Sequence, residues 1–141
     1  MPSFKIFDIA GSGLSAQSVR LNTVASNLAN ADSVSSDPAS VYRARHPVFQ
    51  AVRAALGASS DTAAGNAAVR VAGIVESNAP ASVRHDPGNP LADAQGNVYA
   101  PNVNVIEEMT DMISASRAYQ NDVEVMNTSR DLMLATLKLG Q

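Results

Sequence analysis

The chain has 141 residues, a net charge of −3, 45% hydrophobic but only 4% aromatic residues, and neither cysteine nor tryptophan. That is one domain's worth, with a core that has to come from aliphatic and alanine side chains. Disulfides and thiolate metal sites are excluded. A nucleic-acid partner is not expected either, because a phosphate backbone calls for a clustered basic face, and Arg43, Arg45, Arg53, Arg70 and Arg84 are dispersed among acids.

The first element in the chain is helical. Phe7, Leu14, Leu21 and Leu28 recur at a spacing of seven, and Ala10, Val24 and Ala25 extend the same face. This is an amphipathic helix with a narrow seam of coiled-coil type. Gly11 and Gly13 weaken its first third, so the firm helix is expected from about Leu14, and the pattern stops after Ala31. Three asparagines, Asn22, Asn27 and Asn30, interrupt the pattern. Asparagine is a poor helix former and costly to bury unpaired. Either this helix is exposed and marginal, or the amides are needed.

Residues 32–101 change character. "VYRARHPVFQAV" and "AAVRVAGIVES" alternate as strands do. "GASSDTAAGN", residues 57–66, reads as a mobile loop. "HDPGNPLADAQGNVYAP" is dense in turn-forming residues, and Asp93-Ala94-Gln95-Gly96 suits a short hairpin loop leading into Val98 and Tyr99.

A second, longer helix follows. Val105, Met109, Met112, Ser116, Tyr119, Val123, Met126, Met133 and Leu137 follow i, i+4, i+7 spacing, with Ile106, Ile113 and Leu134 widening the stripe. Pro101 breaks what precedes, and Asn104 with Glu107 forms a capping-box signal. Glu107, Glu108 and Asp111 near the start and Lys138 near the end suit the helix dipole. At about 1.5 Å per residue such a helix is on the order of 50 Å long. The fold class expected is therefore α+β and mostly helical. Residues 1–31 and 102–141 form a helical domain with paired, coiled-coil-like helices, and residues 32–101 a small β-rich domain. The two stripes can be covered only by each other or by other chains.

No catalytic constellation emerges. Gly11-Ser12-Gly13-Leu14-Ser15-Ala16 matches G-x-G-x-x-A, with Asp32 about 20 residues downstream. A dinucleotide site needs that acid at the tip of a second strand, and "NLANADSVSSDPAS" offers none. His46 and His85 sit in polar strand or turn contexts and read as surface imidazoles rather than metal ligands. No metal or cofactor is expected. The methionines are first helix-packing residues, and also adaptable contacts for varied neighbours.

Both ends and the middle resemble the axial proteins of the bacterial flagellum, and among them the proteins of the rod. "IFDIAGSGLSAQSVRLNTVASNLANADS" is similar to the family's N-terminal signature, "VESNAPASVRHDPGNPLADAQGNVYAPNVNV" to a rod subunit's middle segment, and "EEMTDMISASRAYQNDVEVMNTSRDLMLATLKLGQ" to the shared C-terminal helix. "SSDPAS" and "ALGASSDTAAGN" depart from it as lineage-specific loops. The resemblance implies a non-enzymatic structural subunit. Its helical domain would pack with equivalent domains around a central export channel, with the β insert outside, in a tube that transmits torque. Implied partners are other copies of the chain, other rod proteins above and below, and the flagellar type III export apparatus. The opening "MPSFKIFDIAGSGLSA" builds no apolar signal core before Asp8, and no run reaches the ~18 apolar residues of a membrane span, so export without a cleaved signal is expected.

In such a tube, Leu14, Leu21, Val24 and Leu28 of the first helix are expected at subunit contacts. The same holds on the second helix for Met109, Met112, Ile113, Ser116, Tyr119, Val123, Met126, Met133 and Leu137. Asn22, Asn27 and Asn30 are expected to satisfy their amides between chains or with channel water and to set register, with Asn30 alternatively only ending the helix. On that expectation Asn27→Leu leaves the isolated chain unchanged and impairs assembly.

Overall fold

The computed structural model describes residues 2–53 and 67–139, so the 57–66 loop lies outside the described residues. Helix α1 spans Pro2–Asn30, strands β1 and β2 span Arg45–Arg53 and Ala67–Glu76, β3 and β4 span Ser82–His85 and Asn97–Ala100, and helix α2 spans Val105–Leu139. The fold is α+β and mostly helical: two long terminal helices pair with each other and flank a small antiparallel β insert.

Helix α1 runs unbroken through Gly11 and Gly13, longer than the glycines suggested. The physical reason for one of them is a close approach: a Cβ at Gly13 would lie 2.6 Å from Oδ2 of Asp122 on α2. Gly11 has open space around it. Gly11→Ala is therefore expected to stabilise the chain by about 1 kcal/mol, the ordinary helix-interior difference. Gly13→Ala should gain little, because Asp122 has to move. Thermal unfolding of the two variants separates these cases.

The helices meet along small side chains. Ala10, Ala16, Val24 and Asn27 are buried on α1, and Ala115 and Glu108 on α2. Phe7, Leu14, Leu21 and Leu28, the heptad seam of the sequence, flank this contact half-buried. Small residues let two axes approach, while bulkier ones sit to the side. Arg20 of α1 donates to Asp111 of α2 at 2.7 Å across the pair. Both side chains are partly exposed, so the ion pair fixes alignment more than it stabilises.

Asn104 caps α2: its Oδ1 accepts from the Ile106 N–H at 3.1 Å, and its carbonyl accepts from the Glu108 N–H at 3.0 Å. The capping-box partner expected at Glu107 makes no hydrogen bond among the described residues; Glu108 turns inward instead.

Strands β1 and β2 form an isolated two-stranded antiparallel ribbon with a register shift between Val48 and Phe49. Such ribbons are marginal alone. This one leans on α1, where the Val69 N–H donates to Ser12 Oγ at 3.0 Å. Strands β3 and β4 pair from Ser82↔Ala100 to His85↔Asn97. Asp93–Gly96 does turn the chain into β4: Asp93 Oδ1 accepts from the N–H groups of Gln95 and Asn97, and Gly96 adopts a φ of +78°. The hairpin connection is longer than a tight loop, because β3 already ends at His85 and a further turn closes through the Asn89 N–H to the Asp86 carbonyl. The Asn97 N–H, helped by the Gln95 N–H and the Tyr99 hydroxyl, holds the half-buried Asp93 carboxyl below its ordinary range against the opposing effect of desolvation.

Hydrogen bonds close the insert on itself and onto the segment that leads into α2. Tyr99 and Ser35 exchange N–H···O bonds of 2.9 Å each, linking β4 to the segment after α1. Asn102 accepts from the Ala44 N–H and donates to the Ala79 carbonyl, both at 2.8 Å. Val98, fully buried, and Val41 and Ala44 make the insert's core.

Candidate assembly interface

The G-x-G-x-x-A run lies in the interior of α1, with no strand before it, so it has none of the strand–turn–helix geometry that dinucleotide binding needs. Its Ser12 instead holds β2 through Val69. His46 and His85 are both exposed, and His85 Nδ1 lies 3.2 Å from Asn97 Oδ1 within its hairpin. Among the described residues no group of His and acidic side chains could hold a metal, and no helix is long and apolar enough to cross a membrane.

The three asparagines have three different environments. Asn22 is exposed. Asn30 donates to the Ser26 carbonyl one turn back at 2.8 Å, a bond within the helix end. Asn27 is 0% exposed and makes every hydrogen bond its amide can make. Nδ2 donates to the Arg45 carbonyl and to Glu108 Oε1, each at 2.8 Å. Oδ1 accepts from the Arg45 N–H and the Tyr42 hydroxyl, each at 2.9 Å. Within the single chain the amide is thus fully satisfied, and it joins α1, the strand entry at residues 42–45 and the first turn of α2. Around it, the Ser26 hydroxyl lies 3.2 Å from that of Tyr42, and the Arg45 guanidinium sits 5.5 Å from the Tyr42 ring centroid.

Glu108, which the sequence offers only as a helix-start acid, is 5% exposed at this joint. Burial pushes its carboxyl above the ordinary range, against the lowering effect of the Asn27 hydrogen bond. Neither Glu108 nor the Arg20–Asp111 pair carried a sequence signal beyond its charge, since each partner lies on the other helix.

The large apolar residues of α2 face outward. Ile106 is 76% exposed and Leu137 69%, and Val105, Met109, Ile113, Tyr119, Val123 and Leu134 are also exposed. Met112, Ser116, Met126 and Met133 are half-buried beside the α1 contact. On α1, Val24 is buried in the pair, while Leu14, Leu21 and Leu28 keep part of their surface. Val48, Phe49, Ile74 and Val75 leave further apolar surface on the ribbon. So much uncovered aliphatic surface on one small chain is the mark of an interaction face.

Residues 7–35 match the family described as flagella basal body rod protein, and residues 94–139 match the flagellar basal body rod FlgEFG protein C-terminal family. The chain is similar over its whole length to the flagellar basal-body rod protein FlgC of Escherichia coli, with 55% identity over 141 residues and all of both chains covered. The protein of that name from Salmonella typhimurium is 52% identical over 143 residues, again with full coverage of both. That from Agrobacterium fabrum is 40% identical over 132 residues, covering 93% of this chain and 90% of its own. The chain belongs to the FlgC family of flagellar basal-body rod proteins.

Proposed function

We propose that this chain is a non-catalytic building block of the basal-body rod. Copies of it, with other rod proteins above and below, form a helical tube around the export channel and carry torque along it. The observation that carries this reading is the outward-facing apolar flank of α2, with Ile106, Met109 and Ile113 at i, i+3 and i+7 on one side of the helix. In the tube, the helices at residues 1–31 and 102–141 form the inner layer and residues 32–101 the outer one. Exposed Asn22 and the open parts of Leu14, Leu21 and Leu28 belong to contacts between chains in this arrangement. Passage through the type III export apparatus requires an unfolded chain, which the lack of cysteine suits. The reading gives the chain no cofactor and no reaction step; the buried Asn27 amide serves to hold segments together.

Ile113→Asp tests it. Ile113 is exposed in the single chain, so the variant should unfold within about 0.5 kcal/mol of the parent. In cells lacking the parent protein it should fail to restore rods or swimming, whereas Ser114→Asp, at an exposed position more than a quarter-turn round α2 from Ile113, should restore both. Normal rods and swimming with Ile113→Asp would refute the assignment of this flank.

A further inference from the structure

The joint around Asn27 contains one group with an incomplete set of partners. Oε1 of Glu108 accepts from Asn27, but Oε2 is buried with no hydrogen-bond partner. A buried carboxylate with an unpaired oxygen is unfavourable, and a buried neutral carboxylic acid is far less so. We infer that Glu108 is a proton-operated latch: with the proton on, it closes α2 onto Asn27 and the strand entry at residues 42–45, and with the proton off, it loosens that three-way joint.

The surrounding charges set the direction. On its own helix, Glu107 and Asp111 disfavour ionisation of Glu108, with Asp111 already occupied by Arg20 of α1. From β1, His46 favours ionisation. From α1 comes only the neutral Asn27 amide, and from the strand entry the Tyr42 hydroxyl, held by the other side of that amide. The Arg45 guanidinium points away to Glu76 at 3.0 Å. Burial outweighs His46 and the Asn27 bond, so the folded chain takes up this proton at a higher pH than the unfolded chain does. The sign follows. Glu108 adds stability as pH falls through its raised folded value, the gain is complete below the ordinary glutamate value of 4.5, and it is lost as pH rises back through the window. Acid denaturation of paired carboxylates runs the other way.

The test is urea unfolding of the full chain and of Glu108→Gln between pH 8 and pH 5. Glutamine keeps an oxygen for Asn27 and cannot ionise. The folding constant of the parent, divided by that of the variant, should rise as pH is lowered, by at most the tenfold per pH unit that one proton allows. A ratio that does not change with pH overturns the latch. So does a parent chain with no cooperative transition over this range, because the joint is built from the groups of a single chain. Should Glu108→Gln fail to fold, the carboxyl carbon of Glu108 in the parent, followed by NMR, decides. A midpoint above 4.5 supports the latch, and one at or below 4.5 refutes it.

Discussion

Asn27→Leu is expected to destabilise the single chain by about 3–5 kcal/mol. Leucine has nearly the same size and restores some apolar contact, but it orphans the Arg45 N–H and carbonyl and Glu108 Oε1 at once, leaving the Tyr42 hydroxyl with Ser26 alone. Each buried polar group left unsatisfied costs roughly 1–3 kcal/mol. Set against the ~5–15 kcal/mol of a typical domain, the loss takes a large share of the total. Urea unfolding of the purified chain measures it. Unchanged unfolding with defective rods would instead place the Asn27 amide at a contact between chains.

Ala115→Leu is the second large effect. Ala115 is 0% exposed where α2 packs against α1. Three extra carbons have no space there unless the helix axes separate, and overpacking of this sort costs about 1–3 kcal/mol. Separation also lengthens the bonds from Asn27 to Glu108 and from Arg20 to Asp111, so the upper end of that range is expected. Hydrogen exchange should show protection lost in both helices while the β3–β4 hairpin keeps its own. Uniform protection equal to the parent's would mean the pair tolerates a wider spacing than its side chains indicate.

These two positions show what the sequence could and could not reveal. Element types and order were legible: the 3.6-residue period marked both helices, alternation marked β1 and β2, and Asp93 and Gly96 marked the turn into β4. Which stripe of each helix is buried was not. Large apolar residues draw attention, so Leu14, Leu21, Met109 and Ile113 traced a face that the single chain leaves partly or wholly open. The buried stripe, with Ala16, Ala115, Glu108 and Asn27, is small or polar and has almost no hydropathic signal. The Asn27–Glu108 bond joins residues 81 positions apart, and Arg20–Asp111 residues 91 apart, separations over which spacing carries no information. Gly13 shows the same limit: as a local signal it argues for a weak helix, and only Asp122 on the facing helix explains its presence.

The closure of Asn27 within one molecule, beside an α2 flank left open among the described residues, divides the labour of this chain in two. On the proposed function, shape is settled by each molecule alone, and adhesion waits for neighbours. Genetic lesions should sort accordingly: those at the knot around Asn27 lower how much protein survives in the cell, while those on the bare flank leave abundance intact and stop construction.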